Sequence, residues 1–473
     1  MSAISVRNPR TGEVDATIEP PSDDALDAIT GRLRLAQQPW AAMSIDARAE
    51  GLLDLRAAIE AHADAIAGEL ERDTGRRAIA RQEVAGVLAS IGAWAAQAAG
   101  LLASGWTQGR ANPAIKHAPT FAPYPLVGVI SPWNFPLTLS MIDTIPALLA
   151  GCAVLLKPSE VTPRFAAPLK AALASASRIG TVMDIVLGGG ETGAALINRV
   201  DAVCFTGSVP TGRKVAQQCA SRLIPAFLEL GGKDPLIVLD GADLDNAVTA
   251  ALRGSVLATG QACQSIERIY VARPLFEAFV ARLVAAAERC RLNWPDITQG
   301  EIGPIIFDKQ AAILAHHIED ARANGAHVLC GGEIERHGGG FWLRPTVITN
   351  VDHAMAVMHA ETFGPIMPVM AFDTIDEAVA LANDTEYGLS AAVFARTLDE
   401  AAAVATRLDV GAVSLNDAAL TALFYEAEKH SFKSSGLGGS RMGAAGFQRF
   451  LRRRALIAQT GAPAPLSAFA ERG

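Results

Sequence analysis

A single cysteine closely following a glycine carries the first chemical signal in this chain. In Gly260-Gln261-Ala262-Cys263 the thiol comes almost at once after a periodic apolar helix predicted over 246–257. It precedes the β-branched run Arg268-Ile269-Tyr270-Val271, which reads as a strand. A side chain at such a junction is held by rigid elements yet faces a loop region, where reactive groups gather. A thiol attacks carbonyl carbon as the thiolate, and an ordinary pKa of about 8.5 means that its surroundings must favour ionisation. By itself Cys263 is equally a small core residue. Three further positions offer what a catalytic thiol needs. Glu229 ends an apolar strand beside Gly231 and Gly232, where desolvation would make a carboxylate a usable general base. Asn134, within Pro132-Trp133-Asn134-Phe135-Pro136, follows another strand and offers a side-chain N–H to an oxyanion. Glu361-Thr362-Phe363-Gly364-Pro365 adds a carboxylate and a ring before a strand. Singly, each of these has a structural reading as good as the chemical one.

A second group of residues suits phosphate and ribose. In Cys204-Phe205-Thr206-Gly207-Ser208-Val209-Pro210, Ser208 is a good N-cap and Pro210 suits a first helical turn. Gly207 lets the backbone approach a ligand, so a pyrophosphate could rest on the free N–H groups of that helix; a capped helix without ligand fits the same residues. Gly188 to Gly193 matches G-x-G-x-x-G between a strand and a helix. Literally taken it is a dinucleotide fingerprint, but a glycine-rich turn there is also a common structural device. Lys157-Pro158-Ser159-Glu160 ends a strand at the sheet edge where ligands collect in open α/β folds. Its lysine and glutamate could bind ribose hydroxyls or simply decorate the surface.

These groups need a scaffold, and the pattern supplies one. Helices are predicted over 45–70 (Leu52, Leu55, Ile59, Ile66, Leu70, ended by Thr74-Gly75) and over 83–104. Residues 106–124, broken by Pro113, Pro119 and Pro123, read as a linker or as an excursion that pairs with another subunit. Strands are then predicted at 126–130, 153–157, 183–187, 202–205 and 225–230. A second series follows at 236–239, 268–271, 346–349, 366–372, 391–394 and 412–415, with helices between. Two such series imply two α/β units with parallel sheets, joined near Gly231-Gly232.

Composition narrows the function. With 473 residues, half of them hydrophobic, and a formal net charge of -8, the chain is expected to be soluble and divided into two or three compartments. No basic block suggests nucleic acid; Arg452-Arg453-Arg454 is short and reads as a solvated helix face. Six scattered cysteines without a C-x-x-C pair argue against a disulfide framework or a metal site and for a reducing, cytoplasmic setting. The N-terminus has no apolar signal core, and the stretch 136–156, broken by Asp143 and Pro146, reads as core rather than a membrane span.

Taken in order, the segments Pro132–Pro136, Lys157–Glu160, Phe205–Ser208, Glu229–Lys233, Gly260–Cys263, Glu361–Pro365 and the run Asn383 to Leu389 resemble the aldehyde dehydrogenase superfamily over nearly the whole chain. The resemblance implies a Rossmann-like NAD-binding domain (1–105 and 125–231), a catalytic domain (232–445) and a small β oligomerisation element (106–124 and 446–473, with its strand at 455–459). It implies that Cys263 is the nucleophile, that Asn134 and the Cys263 N–H stabilise the oxyanion, and that Glu229 activates water against a thioester. Trp133, Lys157, Ser159, Glu160, Thr206, Leu230, Gly231, Glu361 and Phe363 would contact the dinucleotide. The pyrophosphate would lie at Phe205 to Ser208, and Gly190 and Gly193 would stand at its adenosine end. Glu160 near the ribose 2′-position would repel a 2′-phosphate, so NAD is expected over NADP. Glu229 disfavours the CoA-acylating branch, and a non-catalytic relative would have lost Cys263 or Glu229. A homo-dimer or homo-tetramer is expected.

The chain departs from the resemblance near its C-terminus, where Lys429-His430-Ser431-Phe432-Lys433-Ser434-Ser435-Gly436 lacks the usual Gly-Gly pair. The loop 417–428 before it, with Phe424 and Tyr425, would line the substrate entrance. Phe135, Thr138, Leu139 and Ile142, with Ala262 and Gln264 beside the cysteine, would form a tunnel wall. That wall is apolar and without an arginine, which favours an uncharged aliphatic or aromatic aldehyde over a semialdehyde bearing a carboxylate.

Overall fold

The computed structural model describes residues 2–102 and 105–471. Its first sheet has six strands in the spatial order Gly436–Leu437, Ala226–Glu229, Ala202–Thr206, Leu126–Ile130, Ala153–Lys157, Met183–Ile185. The last five are mutually parallel. Leu126–Ile130, Ala153–Lys157 and Ala202–Thr206 are buried at every position, as expected of parallel strands covered on both faces. The strand order reverses between Leu126–Ile130 and Ala202–Thr206, so a crevice opens beyond their carboxyl ends.

The second sheet runs His327–Cys330, Thr346–Thr349, Ile366–Phe372, Ile266–Ala272, Asp234–Val238, Ala391–Phe394, Val413–Leu415. It is parallel except for His327–Cys330 at one edge. A third, antiparallel sheet joins Leu451–Gln459, Ile115–Pro123 and Thr107–Gln108. The proline-broken segment therefore pairs with the chain's own C-terminal strand.

Several expectations need correction. The predicted helix over 45–70 is two helices, Ile45–Ala61 and Ala63–Thr74, parted at His62, where φ -108 and ψ 9 leave the helical region. Gly75, left-handed at φ 65, ends the second. The helix predicted over 83–104 begins earlier and spans Arg77–Leu101; its predicted end at 104 lies outside the described residues. The C-terminal strand begins at Leu451, so Arg452 to Arg454 lie on a solvated strand and not on a helix. Arg452 and Arg453 stack there over the rings of Tyr124 and Phe121. Gly436–Leu437, expected within the span 232–445, instead crosses back to extend the first sheet, antiparallel to Ala226–Glu229. That return brings the C-terminal loop to the site.

Candidate active site

The cysteine loop is held from several sides. Helix Leu244–Val256, capped by the Asp243 side chain, runs into the turn Leu257–Gly260. Ala258, Thr259 and Gly260 are all left-handed, with φ of 56°, 61° and 67°. Such a conformation is strained for the first two residues and must be imposed by its neighbours. The Thr259 hydroxyl donates to the Gly303 carbonyl (3.1 Å), and Arg76 Nη1 donates to the Ala258 carbonyl (3.1 Å). The buried Gln261 amide donates to the Pro304 carbonyl (3.1 Å) and accepts the Ile306 N–H (3.0 Å). A Cβ on Gly260 would lie 2.4 Å from the Gly364 backbone, so only glycine permits this approach to the run 361–365.

Cys263 is partly exposed at the end of this loop. Burial pushes its thiol up to about 12; Lys429 and Arg441 oppose the rise, while Asp234 and Glu229 add to it. Asn134 is buried at the start of helix Pro136–Ala150, and its Nδ2 donates to the Gln261 carbonyl at 2.9 Å. The amide is thereby fastened to the loop that carries the thiol.

Glu229 ends the strand Ala226–Glu229, and its surroundings differ from those the sequence suggests. Ser431 Oγ donates to its Oε2 at 2.7 Å, Lys429 Nζ lies 3.7 Å from the same oxygen, and Arg441 Nε lies 3.9 Å from Oε1. Burial by itself would raise this carboxyl. Arg441, Lys429 and the Ser431 hydrogen bond together outweigh it and hold Glu229 below the ordinary carboxylate range. The expected desolvated base is an ionised, ion-paired carboxylate. Its partners come from the C-terminal segment 429–441, two hundred residues along the chain.

Beside the thiol lies a cleft of about 770 Å³ at the point where the first sheet reverses order. Every position singled out for dinucleotide contact lines it: Trp133, Lys157, Ser159, Glu160, Gly190, Gly193, Phe205 to Ser208, Leu230, Gly231, Glu361 and Phe363, together with Asn134 and Cys263. Ser208 is the N-cap of helix Val209–Ser221, but its hydroxyl donates to Thr211 Oγ1 (3.1 Å) and does not cap the backbone. The first-turn N–H groups and the helix dipole thus face the cleft, which suits a pyrophosphate. Lys157 Nζ is buried and donates to the Pro158 carbonyl (3.1 Å) and to Glu160 (3.3 Å). Burial lowers its pKa against the pull of Glu160. Trp133 and Phe363 meet edge to face at 5.4 Å. Glu361 accepts the Gly232 N–H at 3.1 Å and is pushed up to about 8 by burial, with Glu267 adding to the rise.

Some residues here were not singled out from sequence. Glu267 accepts the Thr362 and Phe363 N–H groups (both 2.8 Å) and the Lys233 ammonium (2.8 Å), and so fixes the run that carries Glu361. Thr211 and Lys214 also face the cleft; their three-residue spacing after Ser208 was a legible signal. Lys429 and Ser431 had only the departure from the family pattern over 429–436 to mark them, and Arg441 lies beyond it with no such signal.

On the substrate side, every residue of helix Pro136–Ala150 is buried except Thr138, Leu139 and Ile142. These form the one open face of the helix, and Leu139 reaches the cleft that holds Cys263. Phe135 lies under the Arg76 guanidinium, 5.4 Å from the ring centroid. Ala262 is partly exposed beside the thiol, and Gln264 accepts the Thr421 hydroxyl, which ties the cysteine loop to the entrance loop. Phe424 is 53% exposed, so it points to solvent; Tyr425 is the loop aromatic within electrostatic reach of Cys263. Beyond these wall positions, buried Lys429 and Arg441 act on the thiol against Asp234 and Glu229.

The model of the aldehyde dehydrogenase family matches residues 1–456. A protein of Mycolicibacterium smegmatis provisionally named succinate-semialdehyde dehydrogenase [NADP(+)] is 36% identical over 443 residues, which span 93% of this chain and 86% of that one. Among solved structures, a provisionally named aldehyde dehydrogenase, PutA, from Anabaena variabilis is 55% identical with a TM-score of 0.96, over 98% of this chain and 99% of that one. Lactaldehyde dehydrogenase from Escherichia coli is 31% identical with a TM-score of 0.91, over 97% and 96%.

Proposed function

Because this chain belongs to the aldehyde dehydrogenase family, we propose that it oxidises an aldehyde to the carboxylic acid with NAD, Cys263 acting as nucleophile and Glu229 as deacylation base. The observation that carries the reading is the Asn134–Gln261 hydrogen bond, which fastens an amide donor to the thiol's own loop at the mouth of the dinucleotide-shaped cleft. The Cys263 thiol gives up its proton to water as its sulfur adds to the carbonyl carbon, and the resulting oxyanion is met by the Asn134 amide and the Cys263 N–H, a contribution of about 3 kcal/mol per donor. Lys157 and Glu160 would hold the adenine ribose, the N-terminus of Val209–Ser221 the pyrophosphate, and Glu361 the nicotinamide ribose. The bound dinucleotide supplies the hydride acceptor for the aldehydic hydrogen. The thioester left on Cys263 is cleaved by water; Glu229 takes the water proton, and the acid departs as the thiol is restored.

Glu160 supports NAD over NADP, since its carboxylate would repel a 2′-phosphate. The relative named for NADP makes the comparison of kcat/KM for both dinucleotides the direct check, with equal or better efficiency on NADP defeating the preference. Glu229 supports hydrolysis over acyl transfer to CoA. The open face Thr138, Leu139, Ile142 supports an aliphatic or aromatic aldehyde. The relative named for succinate semialdehyde supports a second reading, an aldehyde that carries a carboxylate. Assembly as a homo-dimer or homo-tetramer in the cytoplasm completes the proposal, supported by the six unbridged cysteines and the exposed C-terminal strand.

NADH formation over a panel of neutral and carboxylate-bearing aldehydes, with and without CoA, tests the reading. Cys263→Ser is expected to abolish hydride transfer while dinucleotide binding persists. Glu229→Gln is expected to leave one burst of NADH followed by little turnover. Substantial steady-state oxidation by Cys263→Ser would remove Cys263 from its role.

A further inference from the structure

No catalytic step uses Lys429, yet its side chain is 4% exposed, and among the described residues its ammonium donates no hydrogen bond. Its nearest anion is Glu229, at 3.7 Å. The segment that carries it is stitched to the strand that carries Glu229. Gly436 pairs with Glu229, the Leu230 N–H donates to the Ser435 carbonyl (2.8 Å), and Ser435 Oγ donates to the Gly231 carbonyl (2.7 Å). Lys429 itself is fastened by its N–H to Ser440 Oγ (3.2 Å). The backbone that carries Lys429 is thereby held beside the strand that carries Glu229.

Two arginines act on the same carboxylate. Arg441 faces Glu229 through Nε at 3.9 Å, but its Nη2 is engaged by Asp143 (3.1 Å) and Thr206 Oγ1 (2.6 Å). Arg449, the remaining cation acting on Glu229, is paired with Asp143 as well. Asp234 and the Cys263 thiol also face Lys429; Asp234 is engaged by the Ser390 hydroxyl and pushed up to about 7 by burial. Asp143 is thus shared by both arginines; Arg441 Nε, like the Lys429 ammonium without a hydrogen-bond partner among the described residues, faces Glu229 Oε1 while Lys429 faces Oε2.

We propose that Lys429 is a positioning residue for Glu229: with Ser431 it holds the carboxylate ionised and in one place, and so sets the pH below which deacylation fails. The inference rests on Glu229 being the deacylation base. A cation within 4–6 Å of a carboxylate favours its charged form, by about 1 to 3 pKa units. Loss of the cation leaves burial less opposed, so the carboxylate takes up its proton at higher pH and the acid limb of turnover moves up.

The test is stopped-flow NADH formation from pH 4.5 to 8.5 with the wild-type enzyme, Lys429→Met, Lys429→Arg, Ser431→Ala and Glu229→Gln. The acid limb of the steady-state phase is expected to rise by about one pH unit or more in Lys429→Met. Lys429→Arg should return it toward the wild-type position, and Ser431→Ala should move it in the same direction by less. The burst phase should keep its own pH profile. An unchanged steady-state limb in both Lys429→Met and Ser431→Ala overturns the proposal. So does a shift confined to the burst, which would assign Lys429 to the thiol, or an effect confined to KM for carboxylate-bearing aldehydes, which would assign it to substrate. Unimpaired steady-state turnover by Glu229→Gln would instead defeat the underlying reading of the base.

Discussion

Glu361 illustrates how a residue's type can be legible while its state is not. The carboxylate in the run Glu361 to Pro365 was singled out and lines the cleft, but nothing local says that burial and Glu267 push it to about 8. At neutral pH it carries a proton, so it can donate as well as accept a hydrogen bond. Glu361→Gln is therefore expected to keep dinucleotide affinity within a few-fold, whereas Glu361→Leu should weaken it by at least tenfold, read by fluorescence titration. The linkage has a definite sign. The folded-state pKa lies above the ordinary carboxylate value, so this residue's contribution to stability is fully present below about 4.5 and is lost as pH rises through about 8. Thermal melts between pH 5 and 8 should fall less steeply for Glu361→Gln than for the wild type; parallel slopes there would contradict the assignment. The grouping of Cys263 and Asn134 at one cleft was legible from the ordered set of motifs and not from either residue alone. The ionised state of Glu229 was not, because Lys429, Ser431 and Arg441 reach it from a distant segment that no local pattern connects.

Among the elements, strands were the most legible, since a parallel strand buried on both faces writes itself as a continuous apolar run. Leu126–Ile130, Ala153–Lys157, Thr346–Thr349, Ile366–Phe372 and Ala391–Phe394 lie where that pattern puts them. The break at His62 was not legible, because no proline or glycine marks it and the apolar spacing continues across it. Nor were the left-handed Ala258 and Thr259, which contacts with Arg76 and Gly303 impose. The run 361–363 shows what such long-range support is worth. It hangs from Glu267, which also neutralises Lys233; the two side chains are 3% and 0% exposed. Removing one partner of a buried pair leaves the other charge uncompensated, a loss of about 3–5 kcal/mol. Glu267→Ala is expected to lose stability of that order in urea denaturation and to raise KM for the dinucleotide more than it lowers kcat. A change under 1 kcal/mol would mean that the run 361–363 is held by other contacts.

For the whole molecule, the two α/β units and the cleft between motifs follow from the alternating pattern, while the third sheet depends on a pairing across more than three hundred residues. That sheet is also where the chain looks unfinished. Leu451–Gln459 is an edge strand nine residues long, and Leu456 and Ile457 on it are 41% and 71% exposed. Helix Arg77–Leu101 is long and apolar enough by composition to cross a membrane, and only 22% of its most apolar window is buried. It packs against Ile45–Ala61 and Pro136–Ala150 on one side, which leaves an Ala- and Gly-rich face uncovered. Unprotected strand edges and exposed apolar faces are surfaces on which chains associate, and we propose a second copy of this chain as the partner of the strand edge. Light scattering after size exclusion is expected to give a multiple of 49.5 kDa. Ile457→Asp puts a carboxylate on the exposed strand and should lower that mass at micromolar concentration. Because Ile457 makes no core contact within one chain, the far-ultraviolet circular dichroism of the variant should remain that of the wild type. A wild-type monomer, or an Ile457→Asp protein of undiminished mass, would mean that the strand edge is not where copies meet.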